Sequence, residues 1–445
     1  MEWTRHHMAT HHRETSHVRN GPMRILWGTP YNVKSAIARY SRMVTRALVA
    51  DGHTVEILRL EDKTALDHDI LDHNLPVHPP YTFDFARLRH DYDVCVINYG
   101  DYFPFHAGAL DLAAATPAVA VFHDANLEGF LGGARQIHPK LDALLNRWPP
   151  PGLTLPEKCT LPKQDLSFFA ALASGCVVHG SHYVDDVVAT CPGPTVQMPL
   201  CYPDVGAVPP APDGSGAFIV TCFGMINPNK QPERILRALA VDPKLRTHGR
   251  MHFVGAIDEG YRTRLAALAA DLGLAAPEFT GWVDDAHLCA SLAQAHLVCC
   301  LRHPMTEGHS ASIITALYAA RPIVVNDVGS YAEIPDGLVH KIEAGDAPAP
   351  LAAVMAEIAR DPQAAEAAAA GAAAWARVRY SAASYVGGLI PLLEAAITCR
   401  PGLEAGRGMA RHLTNLGVTF DDSATGLPRK FLACAGRPLM PPMSE

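Results

Sequence analysis

The functions open to this chain of 445 residues are narrowed first by what it lacks. Charged residues make up only 18% and acidic ones outnumber basic ones, for a formal charge of −8, so there is no basic footprint for nucleic acid. Nucleic acid is not expected as a partner. The eleven cysteines contain no C-x-x-C pair, and an odd number cannot all be bridged within one chain. Cys95, Cys222, Cys299 and Cys300 lie inside apolar, strand-like runs and read as reduced core residues rather than disulfide partners or zinc ligands. The N-terminus has no hydrophobic signal core, and no apolar run approaches the roughly 18 to 20 residues that cross a bilayer. A cytoplasmic location is expected, with peripheral docking on a membrane left open. No G-x-G-x-x-G follows the first strand and no G-x-x-x-x-G-K-[ST] loop occurs, which disfavours a nicotinamide dehydrogenase. No Asp-x-Asp signature ends a strand in the second half, so neither a metal nor a cofactor is expected.

What is present suits two α/β domains of ordinary size. Hydrophobic residues reach 49%, enough for two cores. Residues 1–22 hold His6, His7, His11, His12 and His17 among polar neighbours and read as a disordered leader. From Met23 to residue 202 apolar strands alternate with helical spacing, giving strands at Met23–Trp27, Thr54–Leu58, Val94–Asn98, Ala118–Phe122, Cys176–Val178 and Thr195–Met198. The helix Ala36–Ala50 carries its apolar residues at Ile37, Tyr40, Val44, Leu48 and Val49. Residues 203–216 are dense in Pro and Gly and form a linker. A second series over residues 217–379 places strands at Phe218–Phe223, Met251–Val254, Glu278–Thr280, Leu297–Leu301 and Ile323–Val325. Helices are predicted at Gln231–Ala240, Gly260–Leu272, Ala286–Ala293, Ser312–Ala320 and Pro362–Arg379, the last on alanine content. The Pro-rich segment Arg135–Lys163 reads as an inserted loop. A further helix, Ala382–Thr398, is expected to follow, and residues 401–445 form a tail with one short helix, Gly408–Leu416. Strand–helix alternation predicts parallel sheets covered on both faces, with ligands at the carboxyl ends of the strands in a cleft between the domains.

The segment Glu307–Gly337 carries most of the chemistry. An acidic residue and small residues open a helix, and Arg321-Pro322 turns into an apolar strand. Unpaired N–H groups at that helix start would let an anion or sugar oxygen approach Gly308, His309, Ser310 and Ala311. The pattern resembles the signature of the family 4 glycosyltransferases, retaining enzymes of the GT-B fold, whose two glutamates stand eight positions apart. Glu307 holds the first position and Thr315 the second. The resemblance implies two Rossmann-like domains facing across a cleft, a nucleotide-diphosphate sugar as donor, a hydroxyl acceptor and no need of a divalent ion. It extends to Phe218–Lys230, where Gly224 ends a strand and Lys230 matches the family's phosphate-binding lysine. Met225 stands where the family has an arginine. It extends also to Phe279–Val283, whose backbone at Val283 would meet the nucleotide base.

In the first half, Tyr99–His106 and Val121–Asn126 follow apolar strands, so His106, His123 and Asp124 fall at strand ends where an acceptor would sit. His123 is the candidate to position it. Residues Gly28–Ser41 resemble the family's first loop and helix, with Lys34 where glycine is usual. His179 is a further candidate for the cleft, Thr315 reads as a ribose contact or a packing residue, and Glu333 as a brace of the Gly329 turn. The expected activity is sugar transfer with retention, with Lys230 and Glu307 holding the leaving group and sugar. Two rivals remain: a GT-B sugar-nucleotide epimerase, and a GT-B binding or scaffold protein that has lost turnover.

Overall fold

The computed structural model describes residues 21–415 apart from residues 73, 147, 149–160 and 210–215. Nearly all of the expected leader, the Pro149–Pro151 run, much of the linker and the tail beyond residue 415 lie outside the described residues.

Two all-parallel sheets form the frame. The first holds β1 (Arg24–Thr29), β2 (Thr54–Arg59), β3 (Val77–His78), β4 (Val94–Tyr99), β5 (Val119–Phe122), β6 (Gly175–Val178) and β7 (Thr195–Gln197), in the order β3-β2-β1-β4-β5-β6-β7. The second holds β8 (Phe218–Phe223), β9 (Gly249–Val254), β10 (Glu278–Phe279), β11 (Leu297–Cys300), β12 (Ile323–Asn326) and β13 (His340–Ile342), in the order β10-β9-β8-β11-β12-β13. Central strands such as β4, β5, β11 and β12 are buried along their whole length, as expected where helices cover both faces. In each sheet the strand order reverses once, between β1 and β4 and between β8 and β11, and such a switch point opens a crevice at the carboxyl ends of its strands.

Local chemistry explains the element ends. The helix Ala36–Ala50 starts where Ser35 Oγ accepts the Ala38 N–H at 3.2 Å, and it buries Tyr40, Val44 and Leu48 at four-residue spacing. Replacing such a cap typically costs about 1 kcal/mol. Strands β3 and β13, only two and three residues long, carry too little pattern to be read in advance.

Three expectations need correction. Helices Glu128–Ile137, Leu141–Leu145 and Leu161–Ala171 enter the segment expected to be a loop, because Leu131, Ala134, Leu141 and Leu166 have core to pack on. The two expected C-terminal pieces are one helix, Ala382–Asn415, which runs through Pro391 and Pro401. It is held on the first domain by Arg400, which donates to the carbonyls of Tyr92 (3.0 Å) and Leu88 (3.0 Å), and by Arg407, which donates to Ala113 O at 3.0 Å. Finally, the helical stretch Pro362–His412 is long and apolar enough by composition to cross a membrane. Its residues Tyr385, Val386, Leu389, Leu392, Leu393 and Ala396 are instead buried in the main core.

The cysteines behave as core. All nine that are described are free, and Cys95, Cys176, Cys201, Cys222, Cys299 and Cys300 are buried.

Candidate functional site: an interdomain cleft

The two switch points face each other across a cleft of about 520 Å³. Its second-domain wall is built from the ends of β8 and β11. After β8 the chain turns at Gly224, whose φ of +89° suits glycine, and a Cβ there would stand 2.8 Å from Lys230 Nζ. Lys230 is buried and its ammonium donates to Phe223 O. Burial, then the neighbouring Arg302 charge, pushes its pKa down to about 8.

After β11 comes Arg302, buried, with a hydrogen bond from its own N–H to Asn326 Oδ1 at 2.7 Å. Its guanidinium donates to Glu307 Oε1 at 3.0 Å, to Leu301 O at 2.8 Å and to Ser310 Oγ at 3.2 Å. Burial alone would push the Glu307 carboxyl up, but Arg302 and Lys230 outweigh it and hold the group below the usual carboxylate range. Lys230, Arg302 and Glu307 therefore form one charged cluster. Sequence reasoning missed Arg302, which follows its strand with no motif to mark it. The signal available was an arginine directly after the five-residue apolar run Leu297–Leu301.

The helix Ala311–Tyr318 opens on this cluster with Ser310 as N-cap, and His309, Ser310, Ala311 and Thr315 line the cleft. The Thr315 hydroxyl donates to Ala311 O at 3.0 Å, which leaves only its lone pairs for a ligand. Met225, 67% exposed, and the exposed Trp282 stand at the rim with Val283. Gly308 is a correction. Its N–H donates to His123 O at 2.8 Å and is not free for a ligand, and it is packed beneath Tyr183.

The first-domain wall brings Lys34, Arg39, Tyr40, His123 and Asp124 to the same cleft. Lys34 is exposed, and Arg39 pairs with Asp285 of the opposite domain at 2.5 Å. His123 Nε2 lies 3.0 Å from Asn98 Oδ1, and burial with the nearby His179 keeps this imidazole neutral. Burial pushes Asp124 up to about 8, the Glu307 carboxylate adding to the shift although the Asp101 N–H opposes it. His106 is a second correction: it lies behind the wall under Gly100, with Nδ1 2.9 Å from Asn98 O. His179, also outside the lining, stands directly behind His123, with ring centroids 4.9 Å apart.

Main-chain contacts join the walls. Asp124 and Glu307 form an antiparallel bridge, and the Ala125 N–H donates to Thr306 O at 2.7 Å. Glu333 does not brace its own turn as expected. It accepts the Ser181 N–H at 2.6 Å and the Gln197 side-chain amide at 3.0 Å, both in the first domain.

Comparison with known proteins agrees with this architecture. Residues 217–361, the second domain up to the helix Pro362–Arg379, match the family model described as glycosyl transferases group 1. HepE of Anabaena, solved in complex with UDP and glucose, is 18% identical with a TM-score of 0.56, over 83% of this chain and 99% of that one. Sucrose-phosphate synthase from Thermosynechococcus elongatus is 17% identical with a TM-score of 0.60, over 84% and 100%. A glycosyltransferase from Rickettsia africae is 14% identical with a TM-score of 0.55, over 84% and 99%. No curated protein matches the sequence. At these identities the likeness establishes the fold, the two-domain GT-B architecture.

Proposed function

We propose that this protein is a retaining glycosyltransferase that moves a sugar from a nucleotide-diphosphate donor to a hydroxyl acceptor, without a divalent ion. One observation carries the reading: Lys230, Arg302 and Glu307 converge at the carboxyl ends of β8 and β11, in a cleft whose other wall holds Tyr40, His123 and Lys34. A departing diphosphate develops negative charge, and buried cations aimed at it act in a water-poor site where they are worth most. Lys230 supplies one such charge. Arg302 supplies a second from a different strand than the position Met225 occupies, which weakens the reading of the fold as a scaffold without turnover.

Glu307 has a double task in this scheme. Its Oε1 accepts from Arg302 Nε at 3.0 Å, the Ser310 hydroxyl also bonds the carboxylate, and the lone pairs that remain would accept from a sugar hydroxyl. The N–H groups at the start of the helix Ala311–Tyr318 would face phosphate oxygens, and the Val283 segment would meet the base. A phosphate oxygen of the donor would take the acceptor's proton on the same face of the sugar, so no strong protein base is required. His123, neutral and anchored to Asn98, would orient the acceptor.

The test is nucleotide release from a panel of nucleotide sugars by the purified chain. Release with an added hydroxyl acceptor, lost in Lys230→Ala, is the expected result. Full release in that variant would sink the assignment, and free sugar or isomerised donor without any acceptor would favour the epimerase.

A further inference from the structure

The carboxyl edge of the first sheet carries an aromatic surface that the proposed transfer leaves unused. Tyr102, just past β4, is 60% exposed, and its ring meets that of Phe105 edge-on with centroids 5.0 Å apart. Phe105 takes the His68 ring edge-on in turn, at 6.2 Å, and Ile70, 41% exposed, follows on the same segment as His68. The segments after β2 and β4 that carry these side chains are tied by the Asp62 N–H, which donates to Pro104 O at 2.8 Å. Large apolar side chains left this far in water on two joined segments mark a contact surface.

Both ends of this surface join the cleft. At one end the Asp101 N–H, next to Tyr102, donates to Asp124 Oδ2 at 2.7 Å, and Gly100 packs on Ile37, whose Cδ1 would stand 2.7 Å from an added Cβ. At the other end Ile70 forms an antiparallel bridge with Asn32, and the Val33 N–H donates to Asp69 O at 2.9 Å. Asp124, Ile37 and Val33 all line the cleft. The surface is therefore the outward continuation of the first-domain wall, the wall that holds the acceptor in the proposed transfer.

Charge narrows what can lie there. Asp67, Asp69 and Asp72 are exposed on the segment after β2 and Asp62 is half-buried, against one lysine, Lys63. The Lys63 ammonium is itself engaged over the Tyr81 ring, 5.5 Å from its centroid. Such a rim repels an anionic bilayer or an acidic glycan. A neutral pyranose fits it: its C–H face stacks on the electron-rich face of an aromatic ring, and its hydroxyls donate to carboxylates, which can only accept.

We propose that Tyr102 and Phe105, with the aspartates on either side of His68, form an outer subsite for a neutral saccharide chain. The acceptor is then an oligosaccharide or longer glycan, whose reacting end enters the cleft while the sugars behind it stack on this surface. The proposal rests on the transferase reading and adds the acceptor class to it. A single sugar or a small alcohol reaches only the cleft, so binding strengthens with chain length until the surface is covered.

The test is binding of neutral gluco-, manno- and galacto-oligosaccharides, from single sugars to hexasaccharides, to the wild type, Tyr102→Ala, Tyr102→Phe and Phe105→Ala, with UDP, GDP and ADP titrated into each. In at least one series the affinity is expected to rise roughly tenfold from the single sugar to the hexasaccharide, the scale of one aromatic contact. Tyr102→Ala and Phe105→Ala should lose most of that rise, and Tyr102→Phe, which keeps the ring, should retain it. All three variants should bind the bare nucleotide as the wild type does, which reports that they are folded. No binding by any series, affinity independent of chain length, or a rise that survives both alanine variants overturns the proposal and leaves the transferase reading standing. So does binding to phosphatidylserine vesicles that Tyr102→Ala abolishes, which would make the surface a membrane contact. Absence of binding by every nucleotide removes the transferase reading and the acceptor role with it.

Discussion

On the second-domain wall the buried polar groups are charged, Arg302 paired with Glu307 and Lys230 within their field, whereas the buried polar side chains of the first-domain wall include neutral rings, Tyr40 and His123 with His179 behind them. Both walls are buried, yet they resolve the cost of burial in opposite ways. The charged wall keeps its ions by bringing opposite signs within 3.0 Å. The buried rings give up their charge, since desolvation pushes each imidazole below neutrality, while Arg39 on the same wall keeps its charge by pairing with Asp285. One wall is thus suited to a leaving anion and the other to a hydroxyl. The contrast also explains how the site tolerates Met225: a rim residue 67% exposed contributes little field, while Arg302 acts from a buried position where screening is weakest.

Emptying the charged wall should have the largest effect. Arg302→Leu is expected to lower kcat/KM on the nucleotide sugar by roughly 100-fold or more, the scale of losing one oriented donor to a developing anion. Arg302→Lys should recover part of this, since it keeps the charge and loses the fork that holds Glu307 and Ser310. Steady-state kinetics decides, and an unaffected Arg302→Leu would remove Arg302 both as a stabiliser of the leaving group and as the anchor of Glu307. The next effect is expected where the walls touch. Gly308→Ala would set a methyl against Tyr183 and 2.8 Å from His123 O, and such overpacking costs about 1 to 3 kcal/mol. If that strain is relieved by parting the domains, donor affinity should fall roughly tenfold, with the melting temperature of each domain little changed.

A pH profile separates the walls without mutation. The Lys230 ammonium, held at about 8, is charged below that pH and is lost above it, so affinity for a nucleoside diphosphate should fall as pH rises from 8 towards 10. Over the same window the stability of the free protein should rise. An unfolded lysine keeps its proton to about 10.4, so the unfolded chain binds more protons there than the folded one. Opposite slopes for affinity and stability are the expected signature. Calorimetry and thermal melts at matched pH read both, and Lys230→Arg should flatten both.

How much of this was legible in advance depended on whether a residue sits in a local pattern or in a meeting of distant segments. The helix Ala36–Ala50 and strand β8 could be placed to the residue, because four-residue apolar spacing and an uninterrupted apolar run are properties of one window. Lys230 and Glu307 could be placed in the cleft because each follows a strand and precedes a helix, positions that topology sends to the carboxyl edge. His106 obeyed the same rule and was still misplaced, since the rule gives the end of the sheet and not the side of the wall: the short helix Phe103–His106 turns its ring back under Gly100. Arg302 was invisible because its meaning lies in its partners, Glu307 five residues on and Asn326 from the next strand. Gly308 was misjudged for a related reason, as its N–H is claimed by a carbonyl of the other domain.

Glu333 provides the finest test of how the walls are held together. A brace of its own turn and a tie to the first domain predict different couplings. Its carboxylate takes the Ser181 N–H and the Gln197 amide, both on exposed ground, where a single contact is worth at most about 1 kcal/mol. Glu333→Ala alone should therefore shift the melting temperature only slightly, and a local brace would do the same. The distinction appears in a double-mutant cycle with Gln197→Ala. A tie across the domains leaves a coupling of about 0.5 kcal/mol, because removing either end removes the same bond. A brace confined to the Gly329 turn leaves the two substitutions additive, since their Cα positions would then share no partner, and additivity within experimental error would show that the domains are held by the main-chain bridge at Asp124 and Glu307 and by the Arg39–Asp285 pair without help from Glu333.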